Sequence, residues 1–385
     1  MTEPSRVLKG SVVYYALFDL ADQIDLVKAQ ALLGESVPVP AAQPAAAGES
    51  PRRFRLSRPE AQTLLMKEPP LDVALGFRSV ELLTPLGRRE ARQYVRLFDY
   101  GSASVRFELE IPEGTTLEQL VPVSRQLQEF PPLQAEAHAA LDLLLPRIRP
   151  ALDGAAAWKE LETYVVVFVE RLSDHTKAEE LLQREGPTLW RLLLGEPGRA
   201  PSRWELEDMR RHVYSYLDDD LVAIDWECAF VLEPDGTRDV PDVLEFARAQ
   251  LIGLYSYDDQ LDRELLRIYD QIDAERGAKA ILWSPYGPLA RHVQERWIDL
   301  TEFTERIENS IKVVGDLYLA RVYRGALERY RVPDWMASVR RKQAQIAQVY
   351  ELLKTDLTHR RSVILEALIV LLIVFEIVMP LLRRS

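Results

Sequence analysis

The residues whose types and spacing could do chemistry fall into three groups. Asp218, Asp219 and Asp220 stand close to Asp225 and Glu227, and Asp258, Asp259 and Asp262 recur within "YSYDDQLDREL". On a helix Asp258 and Asp262 share a face, and with outside ligands they could hold a divalent cation. That would make a membrane-bound, metal-dependent enzyme. The plainer reading, which the pattern favours, makes 218–220 a turn and the second cluster a solvated face. The third group is Glu366 and Glu376, two carboxylates inside an otherwise aliphatic run.

No other catalytic arrangement is visible. His138, His175, His212, His292 and His359 are scattered, and no two have helix-face ligand spacing. There is no phosphate-binding P-loop, no dinucleotide-binding glycine fingerprint, and neither an HExxH nor a GxSxG motif. "ERLSDHTKAEELL" reads as a capped helix start rather than a His/Asp pair. Cys228 is the sole cysteine, which excludes an intrachain disulfide and any multi-cysteine metal site. It lies in the strand-like "LVAIDWECAFVLE" and is expected to be a buried structural thiol. Trp226, Trp297 and Trp335 are expected in the core. No catalytic, cofactor-binding or metal-ligating residue is therefore assigned, and no cofactor is expected. A net charge of −12 argues against a general nucleic-acid-binding face.

The elements that must position these groups give an α+β fold. "GSVVYYALF" reads as a first strand, followed by a helix that stops at Gly34. A Pro/Ala-rich loop covers 36–52. "REARQYVRLFDYGSASVRFELEI" reads as a hairpin turning at Tyr100-Gly101-Ser102. Residues 1–150 are thus expected to form a small α+β domain, a mixed α/β head. A second α+β region is expected over 155–280, with a strand at 160–172, another over 218–234, and a long helix from Val240 onward.

Two further helices should form an antiparallel hairpin over 285–360, resembling a short coiled coil. The first spans about 287–331, and Val332-Pro333-Asp334 should break it. The second carries Val339, Ile346, Tyr350, Leu353 and Leu357 on one face.

The run 363–382 is expected to be a single transmembrane helix, because about 20 residues span about 30 Å of hydrocarbon. Arg360 and Arg361 precede it, and Arg383 and Arg384 follow it. The basic excess upstream would keep the N-terminal bulk cytoplasmic, as in a tail-anchored, single-pass protein of the bacterial inner membrane. The N-terminus shows no signal-peptide pattern. Glu366 lies about one turn inside the span. Glu376 lies deeper, at a cost of roughly 2.5–3.5 kcal/mol if charged. The two project roughly 80° apart on the helix. Hydrogen bonding of Glu376 to a second copy would favour a homo-oligomer.

"LEALIVLLIVFEIV" (365–378) resembles the C-terminal anchor of the required-for-meiotic-nuclear-division family, which has bacterial and mitochondrial members. The order of elements upstream extends the resemblance to about 160–385, through "DVLEFARAQLIGLYSYDDQLDRELLRIYDQI", "VGDLYLARVYR" and "RKQAQIAQVYELLKTDLTHRR". Ala367 stands where that family usually has Trp, and residues 1–150 match nothing in it. The resemblance implies a membrane tether that supports translation, with no catalytic residues to carry over. The expected function is accordingly a membrane scaffold or tether with protein partners and the lipid bilayer. The metal-dependent enzyme is the alternative.

Overall fold

The structure, a computed structural model, describes residues 4–34, 51–54, 64–65, 68–84, 86–154, 161–174, 177–196, 198, 200–274, 291, 293–294, 312–313 and 317–382. The first elements are β1 (Arg6–Asp19), β2 (Gln23–Ile24), α1 (Leu26–Leu33), β3 (Arg52–Arg53), β4 (Leu64–Leu65), β5 (Leu71–Glu81), β6 (Arg88–Leu97) and β7 (Ser102–Glu110). Then follow β8 (Thr115–Thr116), α2 (Leu117–Gln128), α3 (Pro131–Ile148), β9 (Leu152–Asp153), β10 (Glu162–Leu172), α4 (Ala178–Leu194) and α5 (Arg203–Arg211). The last are β11 (Val213–Tyr214), β12 (Leu221–Ile224), β13 (Cys228–Leu232), α6 (Asp239–Ala274), β14 (Lys312–Val313), α7 (Leu317–Arg329) and α8 (Val332–Leu382).

β1 organises the molecule. Its valines and aromatics favour an extended, pleated backbone, and from Ser11 to Asp19 every residue is buried, as in a strand covered on both faces. It lies between β7 and β10 in a ten-stranded sheet of order β11-β12-β13-β10-β1-β7-β6-β5-β3, with β8 also paired to β1. The two expected α+β regions therefore share one sheet. All its pairings are antiparallel except β10 with β13, where Val165 faces Cys228. The expected strand over 218–234 is instead a hairpin of β12 and β13. It turns because Asp225 N–H donates to the Cys228 carbonyl at 2.9 Å, while the Asp225 carboxylate accepts from Trp226 N–H at 2.5 Å. The β6–β7 hairpin turns where expected. Gly101 there has φ +89°, and a Cβ would run into the Ala21 carbonyl, so only glycine fits.

Alternation gives the sheet two unlike faces. Val12, Tyr14, Val105, Phe107, Leu109, Val165 and Val167 point to one side and join the apolar core with α1–α4. A Thr116–Gln119 capping box starts α2 on that side. Ser11, Tyr15, Arg96, Ser104, Arg106 and Glu108 point to the other, toward the start of α6. There every residue from Asp239 to Tyr257 is buried, so the polar side chains of this stretch are enclosed along with the apolar ones.

By packing, the chain divides into two units, Met1–Tyr257 with Arg306–Met336, and Asp258–Glu305 with Ala337–Ser385. The break expected at 332–334 is present: Arg331 takes a positive φ of 54° and pairs with Asp334 at 2.8 Å as α8 begins. Most of the expected 287–331 helix lies outside the described residues, and with it the hairpin. In α8, Val339, Ile346 and Leu353 are buried, whereas Tyr350 is half-buried and the side chain of Leu357 lies outside the described residues.

The expected transmembrane helix is corrected here. Among the described residues no helix is long and apolar enough to cross a membrane. Residues 363–382 instead continue α8, a single helix of 51 residues that begins in charged sequence. The described apolar side chains between Leu365 and Phe375 form an exposed stretch of this helix. Glu366 is exposed within it, and the side chain of Glu376 lies outside the described residues. The tail-anchored, single-pass inner-membrane topology loses its support with the span.

Candidate functional site

The acidic clusters do not converge on a metal. Asp218 pairs with Lys177 at 3.0 Å. Asp220 is buried, accepts from the backbone N–H of Tyr216 and Leu217, and takes the Tyr318 hydroxyl at 2.8 Å. Asp225 binds Arg329 at 2.8 Å, and Glu227 is exposed. In the second cluster, Lys342 binds Asp258 at 2.8 Å and Asp262 at 2.6 Å, while Asp259 pairs with Arg263. Cations of the chain itself thus answer most of these acids. Among the described residues no group of three His, Cys, Asp or Glu could hold a metal ion.

The other candidates are structural. Cys228 is fully buried, accepts from the Ser124 hydroxyl at 3.4 Å, and burial pushes its thiol up to about 12. His138 packs edge-on against Phe18 at 5.0 Å. His212 closes α5, and burial, with Arg329 nearby, lowers its pKa. His359 is exposed, and His175 and His292 lie outside the described residues. Trp226 is half-buried beneath Arg248, and Trp335 stacks edge-on with Tyr255 at 4.5 Å; Trp297 lies outside the described residues.

A different site emerges on the polar face of the sheet. A cavity of about 710 Å³ opens between that face and the start of α6. Five arginines line it: Arg52 and Arg53 from β3, Arg96 from β6, Arg106 from β7, and Arg238 just before α6. The carboxylates in its wall are Asp72, Glu108 and Asp242, and Glu245 stands just behind them at 2.7 Å from Arg96 and 4.0 Å from Arg106, so cations exceed anions by one in a chain that is acidic overall.

Strand register builds the wall. Arg52 stands opposite Asp72, Asp72 opposite Arg96, and Arg96 opposite Ser104, giving one row across four strands. In the next row Tyr94 stands opposite Arg106, and Arg106 opposite Tyr15. Directly opposed residues of an antiparallel pair share a face, so each row projects into the same space.

Arg96 is the fixed point. Its guanidinium grips Asp72 through two nitrogens at 2.6 and 2.9 Å, and reaches Asp242 at 2.8 Å and Glu245 at 2.7 Å. It also lies over the rings of Phe54 and Phe246, at 4.7 and 5.2 Å. Burial would lower its pKa, but Asp72, Glu245 and Asp242 outweigh that and hold it well above the usual value. Glu245 is pushed up by burial, against the opposing pull of Arg96 and Arg106. Arg238 is committed to Ser11 at 3.0 Å and to Glu108, over the Phe168 ring.

Arg106 is less committed. It sits over Tyr94 at 4.7 Å and is 3.4 Å from Asp242 and 4.0 Å from Glu245, while its buried Nε–H has no partner. The Tyr15 hydroxyl, equally buried, also has none, and burial raises its pKa. Two buried donors without acceptors therefore belong to residues lining a cavity with surplus positive charge.

Sequence reasoning missed this site. Tyr94 and Arg96, like Ser104, Arg106 and Glu108, alternate with apolar residues and resemble the water-facing side of a half-buried sheet. The available signal was in α6, where Asp242, Glu245 and Arg248 recur every three residues in a helix with no polar stripe elsewhere in its first turns.

Fold and site define a mixed α/β protein whose large sheet carries an arginine-lined cavity on one face. The chain belongs to the family described as "Uncharacterized protein MJ0711, N-terminal domain", whose match covers residues 9–239, more than half the sequence. It is 24% identical over 225 residues to "Uncharacterized protein MJ0711" of Methanocaldococcus jannaschii, covering 58% of this chain and 67% of that one. No solved structure matches. The family match includes residues 9–150, part of a region for which the sequence suggested no relative, and does not carry the meiotic-division name.

Proposed function

We propose that the chain binds a small organic anion in the arginine-lined cavity. The observation that carries this reading is the pair of buried, unpartnered donors, Tyr15 O–H and Arg106 Nε–H, beside a surplus of arginines. A buried donor without an acceptor costs about 1–3 kcal/mol, and an anionic ligand would supply the acceptor. Guanidinium forks match carboxylate and phosphate oxygens. The volume falls within the range of metabolite pockets, and the lining mixes charge with Val13, Phe54, Pro51 and Pro241.

Calorimetry with inorganic phosphate, citrate and octyl phosphate tests this. At least one should bind tighter than about 1 mM, or ~4 kcal/mol, and should weaken with salt and on Arg106→Gln. Failure of all three refutes the reading.

A second reading, a scaffold or tether for protein partners, is supported by the exposed apolar side chains Leu365, Leu368–Ile373 and Phe375 of α8. It agrees with the resemblance of 160–385 to the meiotic-division family. A pulldown with the full chain, against a variant with Leu368, Leu371 and Leu372 changed to Gln, tests it. Partners, a second copy included, that bind both forms equally would remove the support.

A further inference from the structure

The cavity is longer than a single anionic group requires, and its cations are unevenly placed. Arg106 lies deep, in the same row as the buried Tyr15, whereas Arg52 is exposed at the opening. Their strands, β3 and β7, are separated by β5 and β6. Three inter-strand steps of about 4.8 Å place the two backbones roughly 14 Å apart. Between them Arg96 is saturated by Asp72, Asp242 and Glu245, so the middle of the row presents neutralised charge. Apolar surface from Phe54 and Pro241 also lines the space.

Resting on the anion-binding reading, we infer that the ligand is an elongated organic molecule with an anionic group at each end. One group meets Arg106 and the Tyr15 hydroxyl in the interior, and the other meets Arg52 at the opening. The body of the ligand lies along the Phe54 and Pro241 surface. A compact anion satisfies only one end and leaves the other cation to water. Arg52 is suited to the outer role because its guanidinium makes no hydrogen bond or ion pair among the described residues, and its exposure leaves it free to reorient.

A matched pair of probes isolates the second charge: octanediol bisphosphate against octyl phosphate, titrated into the full chain by calorimetry at fixed ionic strength. The bisphosphate should bind at least about tenfold tighter, the gain expected of one additional charge-assisted contact. Arg52→Ala should bring the bisphosphate down to the affinity of octyl phosphate, and Arg106→Gln should weaken both probes. Thermal unfolding of each variant without ligand checks that the fold is retained. Equal affinity of the two probes for the native chain overturns the two-ended ligand while leaving a single anion subsite in place. A tenfold preference that survives Arg52→Ala overturns the outer role of Arg52. If neither probe binds, and phosphate and citrate also fail, the anion-binding reading falls as well.

Discussion

On one side of β7, Val105, Phe107 and Leu109 join an apolar core with α2 and α3; on the other, Arg106 lies beside Asp242 and Glu108 pairs with Arg238. The same strand serves both, yet the two faces depend on different physics. The apolar face is non-directional: its stability follows the area removed from water, and it tolerates changes that keep volume. The polar face depends on each charge having a counter-charge in a fixed place, because a buried ion left alone costs several kcal/mol. One face can be repacked. The other can only be kept or broken.

The sharpest way to break that comparison is Arg96→Ala. It strands Asp72, Asp242 and Glu245, and should cost about 3–5 kcal/mol in urea unfolding. A loss under about 1 kcal/mol would mean that water or side-chain rearrangement relieves these acids, and that the polar face is not a fixed network. On the apolar face, Leu109→Ala should cost about 3 kcal/mol, with no dependence on salt. A salt-dependent loss there would show that the two faces are not separable.

Thr116→Ala removes the cap of α2 and should cost about 1 kcal/mol, read from the unfolding midpoint. A loss several times larger would place Thr116 in the packing of the apolar face, not only at a helix end.

The smallest expected effect is confined to pH. Glu245 has a raised pKa when folded, so the native state holds that proton more tightly than the unfolded chain does. Its contribution is fully present below the ordinary carboxylate value and is lost as pH rises through the folded value. Relative to Glu245→Gln, the native chain should therefore lose stability with rising pH across that window, by at most about 1.4 kcal/mol per pH unit. The opposite slope would mean that Arg96 and Arg106 outweigh burial.

Much of the sheet was legible in the sequence. The hairpin around Gly101 announced itself through alternation and turn chemistry, as did β1 through its run of valines and aromatics. The cavity was not legible, because alternation reports which residues share a face and not what covers that face. Arg96 and Arg106 read as solvent-facing until α6 is seen to lie against them, and that closure joins residues more than a hundred positions apart. The tail shows the converse. A hydropathy window registers 363–382 strongly, but whether a helix is long and apolar enough to cross a bilayer is a stricter condition, and no described helix meets it.

The place of β1 between β7 and β10 also bears on how the chain is made. β7, on one edge of β1, is complete at Glu110, but the residues that pair with its other edge end only at Leu172. At roughly 5–20 residues per second, a nascent chain would wait on the order of 10–30 s between finishing β1 and finishing β10. For that interval a long, valine-rich edge has unpaired N–H and C=O groups, which is the condition for pairing with another nascent chain. Lys9 near its start offers one charge against such pairing. Chains stalled before residue 162 should therefore be more prone to aggregate than chains released after 172.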